Sequence, residues 1–201
     1  MNLKKIRSLA PTHVIVNVDE NRKETADALA TFVPNVIVTH PLGPLDNLAL
    51  YRQIGGAFGR EEAAEALCAR LEFSLGQIER QKFPARRVLY LIWKDPWMTV
   101  SRDTYISRTL RLFGMQTVPA KARKRYPELD SLDVAGADLI LLSTEPYRFG
   151  ERHRSELQSR LGKPVHLIDG EMTSWYGPRA IAGLAYLAAF SSRLSSPPRA
   201  A

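Results

Sequence analysis

The chain has 201 residues, of which 45% are hydrophobic and 24% are charged, and this composition excludes an intrinsically disordered or fibrous protein. Its longest apolar runs, 14–18 and 88–93, are far shorter than the roughly 20 residues of a membrane-spanning helix, so we expect a protein that does not span a membrane. The net charge of +7 favours anionic partners. The densest basic cluster, at 121–125, has Tyr126 as its only aromatic neighbour, so we expect no nucleic-acid partner.

The termini and the single cysteine leave the cellular compartment open. Cys68 alone cannot form an intrachain disulfide or a thiolate metal cluster. The first residues are basic, but no apolar core of roughly 7 to 15 residues follows them, so no secretory signal is predicted. Either the protein stays inside the cell or its export segment is absent from this sequence.

The first 45 residues alternate between apolar strands and an amphipathic helix. A short helix ends near Leu9, and Pro11 separates it from a predicted strand at 13–18. A helix follows whose apolar face includes Leu29 and Val33, and a second valine-rich strand is predicted at 35–39.

A long helical region in two pieces is predicted at 46–84. Glycines at 55, 56 and 59 weaken the helix and permit a bend, and Glu61 and Glu62 favour a new helical start through the helix dipole. Apolar residues continue at helical spacing to Ile78. The second piece would be roughly 30 Å long, so it could act as a strut between two units.

The alternation of strands and helices then resumes. Strands are predicted at 88–93, 139–143 and 165–168, and helices at 104–113, 151–161 and 178–190. We therefore predict an α/β fold with a small α/β lobe at 1–45, a connecting helix at 46–84, a larger α/β lobe at 85–193 and a flexible tail at 194–201.

Enzyme motifs are missing from the sequence. It has no phosphate-binding glycine loop and no nucleophile elbow, and its four histidines show no paired spacing that would suit a metal. We predict no catalytic residue, no metal site and no cofactor. What stands out instead is four segments at the carboxyl ends of predicted strands, 17–22, 93–98, 143–148 and 169–177, where open α/β sheets bind ligands. All three tryptophans lie in these predicted loops. They would form either a ligand-binding face or a small core packed between the loops.

These segments carry a family resemblance. Val14-Ile-Val-Asn-Val-Asp-Glu-Asn-Arg-Lys-Glu, Ile92-Trp-Lys-Asp-Pro-Trp-Met, Leu142-Ser-Thr-Glu-Pro-Tyr-Arg-Phe and Ile168-Asp-Gly-Glu-Met-Thr-Ser-Trp-Tyr-Gly resemble, in the same order, the helical-backbone metal receptors. These are the type III periplasmic substrate-binding proteins of ABC importers for cobalamin and ferric siderophores. The resemblance implies two lobes joined by a rigid helix, and a non-enzymatic protein that holds cobalamin or a related metal chelate, such as a ferric siderophore or haem, in the cleft between them.

The resemblance also implies the residues of the site. From the first lobe they are Asn17, Asp19, Glu20, Asn21 and Arg22. From the second lobe they are Trp93, Lys94, Trp97, Met98, Tyr147, Met172, Trp175 and Tyr176. The aromatic rings would form flat walls, and Arg22 and Lys94 could face anionic groups of the ligand. Glu24 and Glu151 are the candidates for docking onto the importer permease.

The sequence departs from the family at its beginning. Family members carry a further small α/β unit before the segment that matches Leu3 to Pro11, so we expect a first lobe with only about two strands and with unpaired edges. A misassigned gene start, a short form completed by a partner copy in a homodimer, and a relative that no longer binds ligand all stay open. The resemblance implies a periplasmic location, and the missing signal leaves a cytoplasmic one open.

Two other functions stay open at this point. A cytoplasmic ligand sensor or assembly subunit could reuse the receptor fold without import. A small hydrolase would need carboxylates, for which Asp19, Glu20 and Glu171 are the candidates.

Overall fold

The structure, a computed structural model, describes residues 1–120, 122–132 and 134–195. Lys121 of the basic cluster and residues 196–201 of the predicted tail lie outside the described residues. The described chain is mixed α/β and forms two compact units, Met1–Pro41 and the part from Leu42 onward. The domain boundaries at 45 and 84 stay predictions.

The secondary structure follows the predicted alternation. The helices are α1 (Leu3–Ser8), α2 (Lys23–Ala30), α3 (Asn47–Ala57), α4 (Glu61–Glu79), α5 (Tyr105–Arg111), α6 (Glu151–Leu161), α7 (Gly170–Ser174) and α8 (Arg179–Ser195). The strands are β1 (His13–Asn17), β2 (Asn35–Thr39), β3 (Arg86–Trp93), β4 (Met98–Thr99), β5 (Met115–Thr117), β6 (Leu139–Ser143) and β7 (Val165–Ile168). The sequence did not predict β4, β5 and α7, which are the shortest strands and the shortest helix. Within the described ranges, no helix is both long enough and apolar enough to cross a membrane.

The first unit has a sheet of two parallel strands. β1 pairs with β2 in register, from His13 opposite Asn35 to Asn17 opposite Thr39. One face of the sheet packs under α1 and α2 through a small core of Val16, Leu29 and Val33. A two-stranded sheet buries little apolar area.

The second unit is built on a larger sheet in the order β4-β3-β6-β7, with β5 on the β4 side of β3. The strands β3, β5, β6 and β7 are parallel, and β4 is antiparallel to β3. The five residues of β6 are all buried, as an apolar central strand covered on both faces should be.

Two separate cores cover the two faces of this sheet. Tyr90 and Leu141 belong to the core that the helices α3, α4, α5 and α8 cover. Leu89 and Leu142 belong to the second core, which includes Leu157 of α6. The period-2 alternation along each strand assigns neighbouring residues to opposite cores.

The glycines interrupt the long helical region as predicted. α3 ends at Ala57, Gly59 has a φ of +61°, and α4 begins at Glu61. Gly55 permits α3 and α4 to approach closely, because a Cβ at this position would lie 2.5 Å from the Cβ of Ala64. α4 then buries residues on a helical stripe against the larger sheet.

Candidate ligand-binding site

Three of the four predicted loop segments meet at one edge of the larger sheet. The parallel strands β3, β6 and β7 end at Trp93, Ser143 and Ile168, and their pairing brings these ends together. The segments that follow them, 94–97, 144–150 and 169–177, therefore lie at the carboxyl edge of this sheet, where ligands of open α/β folds bind. The fourth segment belongs to the first unit.

The loop after β6 begins on a buried hydrogen-bonded chain. The Tyr90 hydroxyl donates to Ser143 Oγ at 3.1 Å, and Ser143 Oγ donates to the carbonyl of Glu145 at 2.6 Å. Tyr90 is fully buried, and burial raises the pKa of its phenol. The loop therefore leaves the sheet in a direction that the core fixes.

The segment after β7 is a short helix rather than the predicted loop. Asp169 caps α7 by accepting a hydrogen bond from the Met172 amide at 3.1 Å, which is the usual role of an aspartate at a helix start. The amide of Gly170 donates to Thr144 Oγ1 at 2.9 Å. A Cβ at Gly170 would lie 2.5 Å from Cγ of Glu145, so only glycine permits this close approach. The aspartate cap was the signal in the sequence that could have revealed α7.

Trp175 follows α7 and is held by side chains from two other places. Its indole Nε1 donates to Glu145 Oε1 at 2.5 Å, and the guanidinium of Arg179 lies over the ring, 5.0 Å from the centroid. Arg179 in turn pairs with Glu171, with 2.6 Å between Nη1 and Oε2. Trp175 nevertheless stays 49% exposed. Neither Glu145 nor Arg179 was a predicted site residue, because neither lies in a recognisable motif with Trp175.

Buried contacts from α3 fix the residues after Trp175. The Gly177 amide donates to Asn47 Oδ1 at 2.6 Å, and the Tyr51 hydroxyl donates to the Gly177 carbonyl at 2.8 Å. Tyr176 packs against Tyr105, with 6.0 Å between ring centroids. Burial raises the pKa of both Tyr51 and Tyr105 to about 12. The predicted site residue Tyr176 therefore has a packing role, and a ligand contact for it stays a prediction.

Five aromatic side chains near the ends of β3 and β6 form an aromatic cluster: Trp93, Trp97, Tyr147, Phe149 and His153. The ring centroids of Trp93 and Tyr147 are 5.6 Å apart, and those of Tyr147 and Phe149 are 4.6 Å apart. Trp97 stacks on Phe149 at 6.1 Å with an interplanar angle of 2°. The cluster extends from the end of β3 to the start of α6.

The positions of the tryptophans require a correction. Trp93 is the last residue of β3, where the predicted strand at 88–93 also ended, and not part of the following loop, because the strand pairing with Met98 of β4 includes it. Trp97 packs against the core under α6, and Lys94 lies over its ring, with Nζ 5.8 Å from the centroid. Trp175 has its described ring contact with Arg179 and not with the aromatic cluster. Trp175 and Trp93 are the two exposed indoles of the chain, at 49% and 39%.

The predicted residues of the first unit form a turn in which asparagine side chains bond to the backbone. Asn17 Oδ1 accepts from the Asp19 amide at 2.8 Å, and Asn21 Oδ1 accepts from the Asn17 amide at 2.9 Å. Asp19 also lies near His40, with 3.7 Å between Oδ1 and Nε2. Glu20 and Arg22 are exposed. This turn can present Glu20 and Arg22 outward, while Asn17 and Asn21 serve the backbone.

The two predicted docking residues occupy equivalent positions. Glu24 lies in the first turn of α2, and Glu151 lies in the first turn of α6, where the helix dipole favours an acidic side chain. Both are exposed. Glu151 pairs with Arg154 of its own helix, with 2.5 Å between Oε2 and Nε.

The described residues do not assemble a metal centre. Among them, no three histidine, cysteine, aspartate or glutamate side chains lie together as a group that could hold an ion. The groups described at the carboxyl edge are the indole ring of Trp175 and the charged side chains of Glu145, Glu171 and Arg179.

No protein-family model matches the chain, and no curated protein matches it. Solved structures do. The periplasmic vitamin B12 binding protein BtuF of Vibrio cholerae superimposes with a TM-score of 0.78 at 16% identity, over 98% of this chain and 80% of that protein. The fold is that of the type III periplasmic binding proteins.

Other proteins of this fold superimpose similarly. The periplasmic haem-binding protein RhuT of Roseiflexus sp. RS-1 gives a TM-score of 0.75 at 20% identity, over 96% of this chain and 80% of that one. The periplasmic haem-binding protein HutB of Vibrio cholerae gives 0.72 at 15% identity, over 98% and 81%. The α/β fold that the resemblance implied, with its long helical region, is confirmed.

Proposed function

We propose that this protein is the substrate-binding protein of an ABC-type importer, and that it binds cobalamin or a related metal chelate, such as haem or a ferric siderophore, without chemical turnover. The observation that carries the proposal is the shared fold with receptors described as binding vitamin B12 and haem. The exposed indoles at the carboxyl edge of the larger sheet support it, because a flat macrocycle gains affinity by burying its faces against aromatic rings.

Direct titration tests this proposal. Cyanocobalamin, dicyanocobinamide, haemin and a ferric catecholate siderophore would be added in turn to the folded protein, and the absorption of each chelate would report its binding. We expect saturable binding of at least one of them. A folded protein that binds none contradicts the proposal and favours a sensor or assembly subunit that reuses the fold.

A pair of variants tests the position of the site. Trp175→Ala removes an exposed indole at the carboxyl edge, and Phe73→Ala removes a side chain that is 69% exposed on α4. We expect Trp175→Ala to weaken binding about tenfold, because truncating a ring at a binding interface costs on the order of 1–3 kcal/mol. Phe73→Ala should bind as the parent does. If both variants bind with the affinity of the parent, the ligand does not bind at this edge of the sheet.

The assignments of Asn17, Asp19, Glu20, Asn21 and Arg22, and of the cleft between the lobes, stay predictions. Arg22→Ala tests the first unit most directly, because its exposed guanidinium is the cation proposed for an anionic ligand group. We expect weaker binding of haemin, which carries carboxylates, and unchanged binding of dicyanocobinamide. Equal losses for both ligands would assign Arg22 a structural role.

The importer partner and the periplasmic location belong to the same proposal. Glu24 and Glu151 are proposed to dock onto basic residues of the permease. The charge reversals Glu24→Lys and Glu151→Lys should reduce ligand uptake into cells and leave ligand affinity unchanged, because both residues are exposed and lie on helices outside the proposed contacts. Uptake at the parent rate would remove them from the docking surface.

Self-association through the first unit stays a prediction. Ile15, Val18 and Val38 are exposed at 53%, 49% and 49%, on and beside a sheet of two strands. Sedimentation equilibrium at micromolar concentrations tests it. A compact monomer there would exclude the homodimer.

A further inference from the structure

Trp175 is fixed by its backbone on both sides and is still half exposed. Before it, α7 is capped by Asp169. After it, Gly177 is bonded to Asn47 and Tyr51, which belong to α3. The main freedom left to Trp175 is therefore the rotation of its own side chain.

Two side chains from separate elements restrict that rotation. Glu145, in the loop after β6, accepts the indole N–H at 2.5 Å, and Arg179, the first residue of α8, covers the ring at 5.0 Å. Arg179 is itself held by Glu171, at 2.6 Å. The indole is thus held at its edge by Glu145, 30 residues earlier in the chain, and at its face by Arg179, at the start of α8.

A tryptophan that served only to cover the sheet would stabilise the fold in proportion to the apolar area that it buries. Trp175 remains 49% exposed, so burial accounts for only part of its placement. A fixed and exposed ring is instead what a rigid ligand needs, because a wall that is already ordered loses little side-chain entropy on binding.

We propose that Glu145 and Arg179 are positioning residues, which hold the indole of Trp175 as a pre-formed wall for the flat face of a chelate. This inference rests on the proposed function and adds to it two residues that touch the wall. Glu145 sets the orientation of the ring through its N–H, and Arg179 sets it through stacking of the guanidinium.

Two variants of Glu145 separate hydrogen bonding from charge. Glu145→Gln keeps an oxygen that can accept the indole N–H and removes the negative charge, whereas Glu145→Ala removes the acceptor. We expect Glu145→Ala to bind about tenfold more weakly than the parent, and Glu145→Gln to bind within about twofold of it. The probes are cyanocobalamin and haemin, each at equilibrium with the purified protein.

Fluorine NMR of protein labelled with 5-fluorotryptophan reports the ring without any ligand. Trp175→Phe identifies the resonance of Trp175 among the three indoles of the chain. We expect this resonance to shift and change width in Glu145→Ala and to stay near its parent position in Glu145→Gln. A general loss of folding would move all three resonances and is thereby distinguished from a free Trp175 ring.

Arg179 has a matched control in the same helix. Arg193 lies over the ring of Phe190 at 5.8 Å, away from the carboxyl edge. Arg179→Lys keeps a positive charge near Glu171 but loses the planar stacking surface. We expect Arg179→Lys to shift the Trp175 resonance and weaken chelate binding severalfold, and Arg193→Lys to do neither.

The inference is overturned if Glu145→Ala leaves the Trp175 resonance unchanged, if it binds the chelates as the parent does, or if Glu145→Gln loses as much affinity as Glu145→Ala. Failure of the proposed function would appear differently. The parent protein itself would then bind no chelate, and Trp175 could have no role as a ligand wall.

Discussion

The segment after β1 and the segment after β7 both carry the chain from a strand into a helix, and they are bonded to different numbers of other elements. Asn17 and Asn21 bond to each other within one turn, and Asn17 Nδ2 also donates to the carbonyl of Thr39 at the end of β2 at 3.2 Å. The segment after β7 is held by distant residues, including Thr144 and Asn47. Bonds from other elements fix the position of a turn, and the second segment receives them both from the loop after β6 and from α3. The second segment is therefore the better candidate for a pre-formed binding surface.

The largest expected effect tests the close approach of Gly170, in the segment after β7, to the loop after β6. In Gly170→Ala the new Cβ would meet Ser143 Oγ at 2.6 Å and the Glu145 amide nitrogen at 2.9 Å. Because the backbone there cannot move freely, we expect the free energy of unfolding to fall by about 1–3 kcal/mol. Denaturant unfolding measures it. Gly76→Ala in α4 is the control, since no atom lies within 4 Å of its added Cβ and the helix should gain up to ~1 kcal/mol. Equal stability of parent and Gly170→Ala would show that the approach is not tight.

The next largest effect tests the hydrogen bonds that Asn47 makes to distant residues. Asn47 is fully buried and bonds both Gly177 and Tyr105, so Asn47→Ala leaves polar groups without their partners. We expect a loss of about 1–3 kcal/mol in the free energy of unfolding. Faster hydrogen exchange of the Gly177 amide should accompany it.

A matched change at an exposed asparagine is the control for Asn47. Asn35 bonds the Thr12 carbonyl from the surface of the first unit. Asn35→Ala should cost less than about 1 kcal/mol, because water can replace an exposed hydrogen bond. If the two alanine variants lose the same stability, the burial of the Asn47 hydrogen bonds does not increase their contribution to the free energy of unfolding.

Much of the fold could be predicted from the sequence, because most of its strands are apolar runs of four or more residues and most of its helices are amphipathic. β2, β6, β7 and α6 begin and end at the predicted residues. The strands β4 and β5 were missed because two or three residues show no periodicity, and their pairing with β3 depends on tertiary contacts. α7 was missed although Asp169 carries its cap, since five residues give no apolar stripe.

The candidate site was predictable only in part. Residue types and strand ends gave Trp93, Tyr147 and Trp175. Glu145 could not be found, because a hydrogen bond between residues 30 positions apart leaves no local pattern. Arg179 lies only four residues after Trp175, but no motif links an arginine at that spacing to an indole ring. The sequence also could not distinguish the two kinds of tryptophan. Trp97 stacks on Phe149, whereas Trp175 keeps about half of its surface exposed.

The pH dependence of stability tests the buried contact between α3 and α5, where Asn47 bonds the hydroxyl of Tyr105. Burial raises the pKa of Tyr105 to about 12, above the value near 10 expected in the unfolded chain. The neutral phenol is therefore favoured by folding, and its stabilisation is complete below about pH 10 and lost as the pH rises through about 12. We expect the parent to lose about 2 kcal/mol more than Tyr105→Phe between about pH 9 and pH 12, measured by urea unfolding. Parallel curves would contradict the burial of this hydroxyl.

The smallest effect belongs to the local turn of the first unit. Asn21→Ala removes the oxygen that accepts from the Asn17 amide at 2.9 Å, in a part-buried position. We expect the free energy of unfolding to fall by no more than about 1 kcal/mol, because solvent can reach the freed amide. Asn21→Asp keeps an accepting oxygen and should retain the parent stability. Hydrogen exchange should quicken at the Asn17 amide and stay unchanged at Gly177, which is the reverse of the expectation for Asn47→Ala. If Asn21→Ala instead leaves exchange at the Asn17 amide unchanged, the bond from Asn21 does not protect this amide, and the account of this turn is wrong.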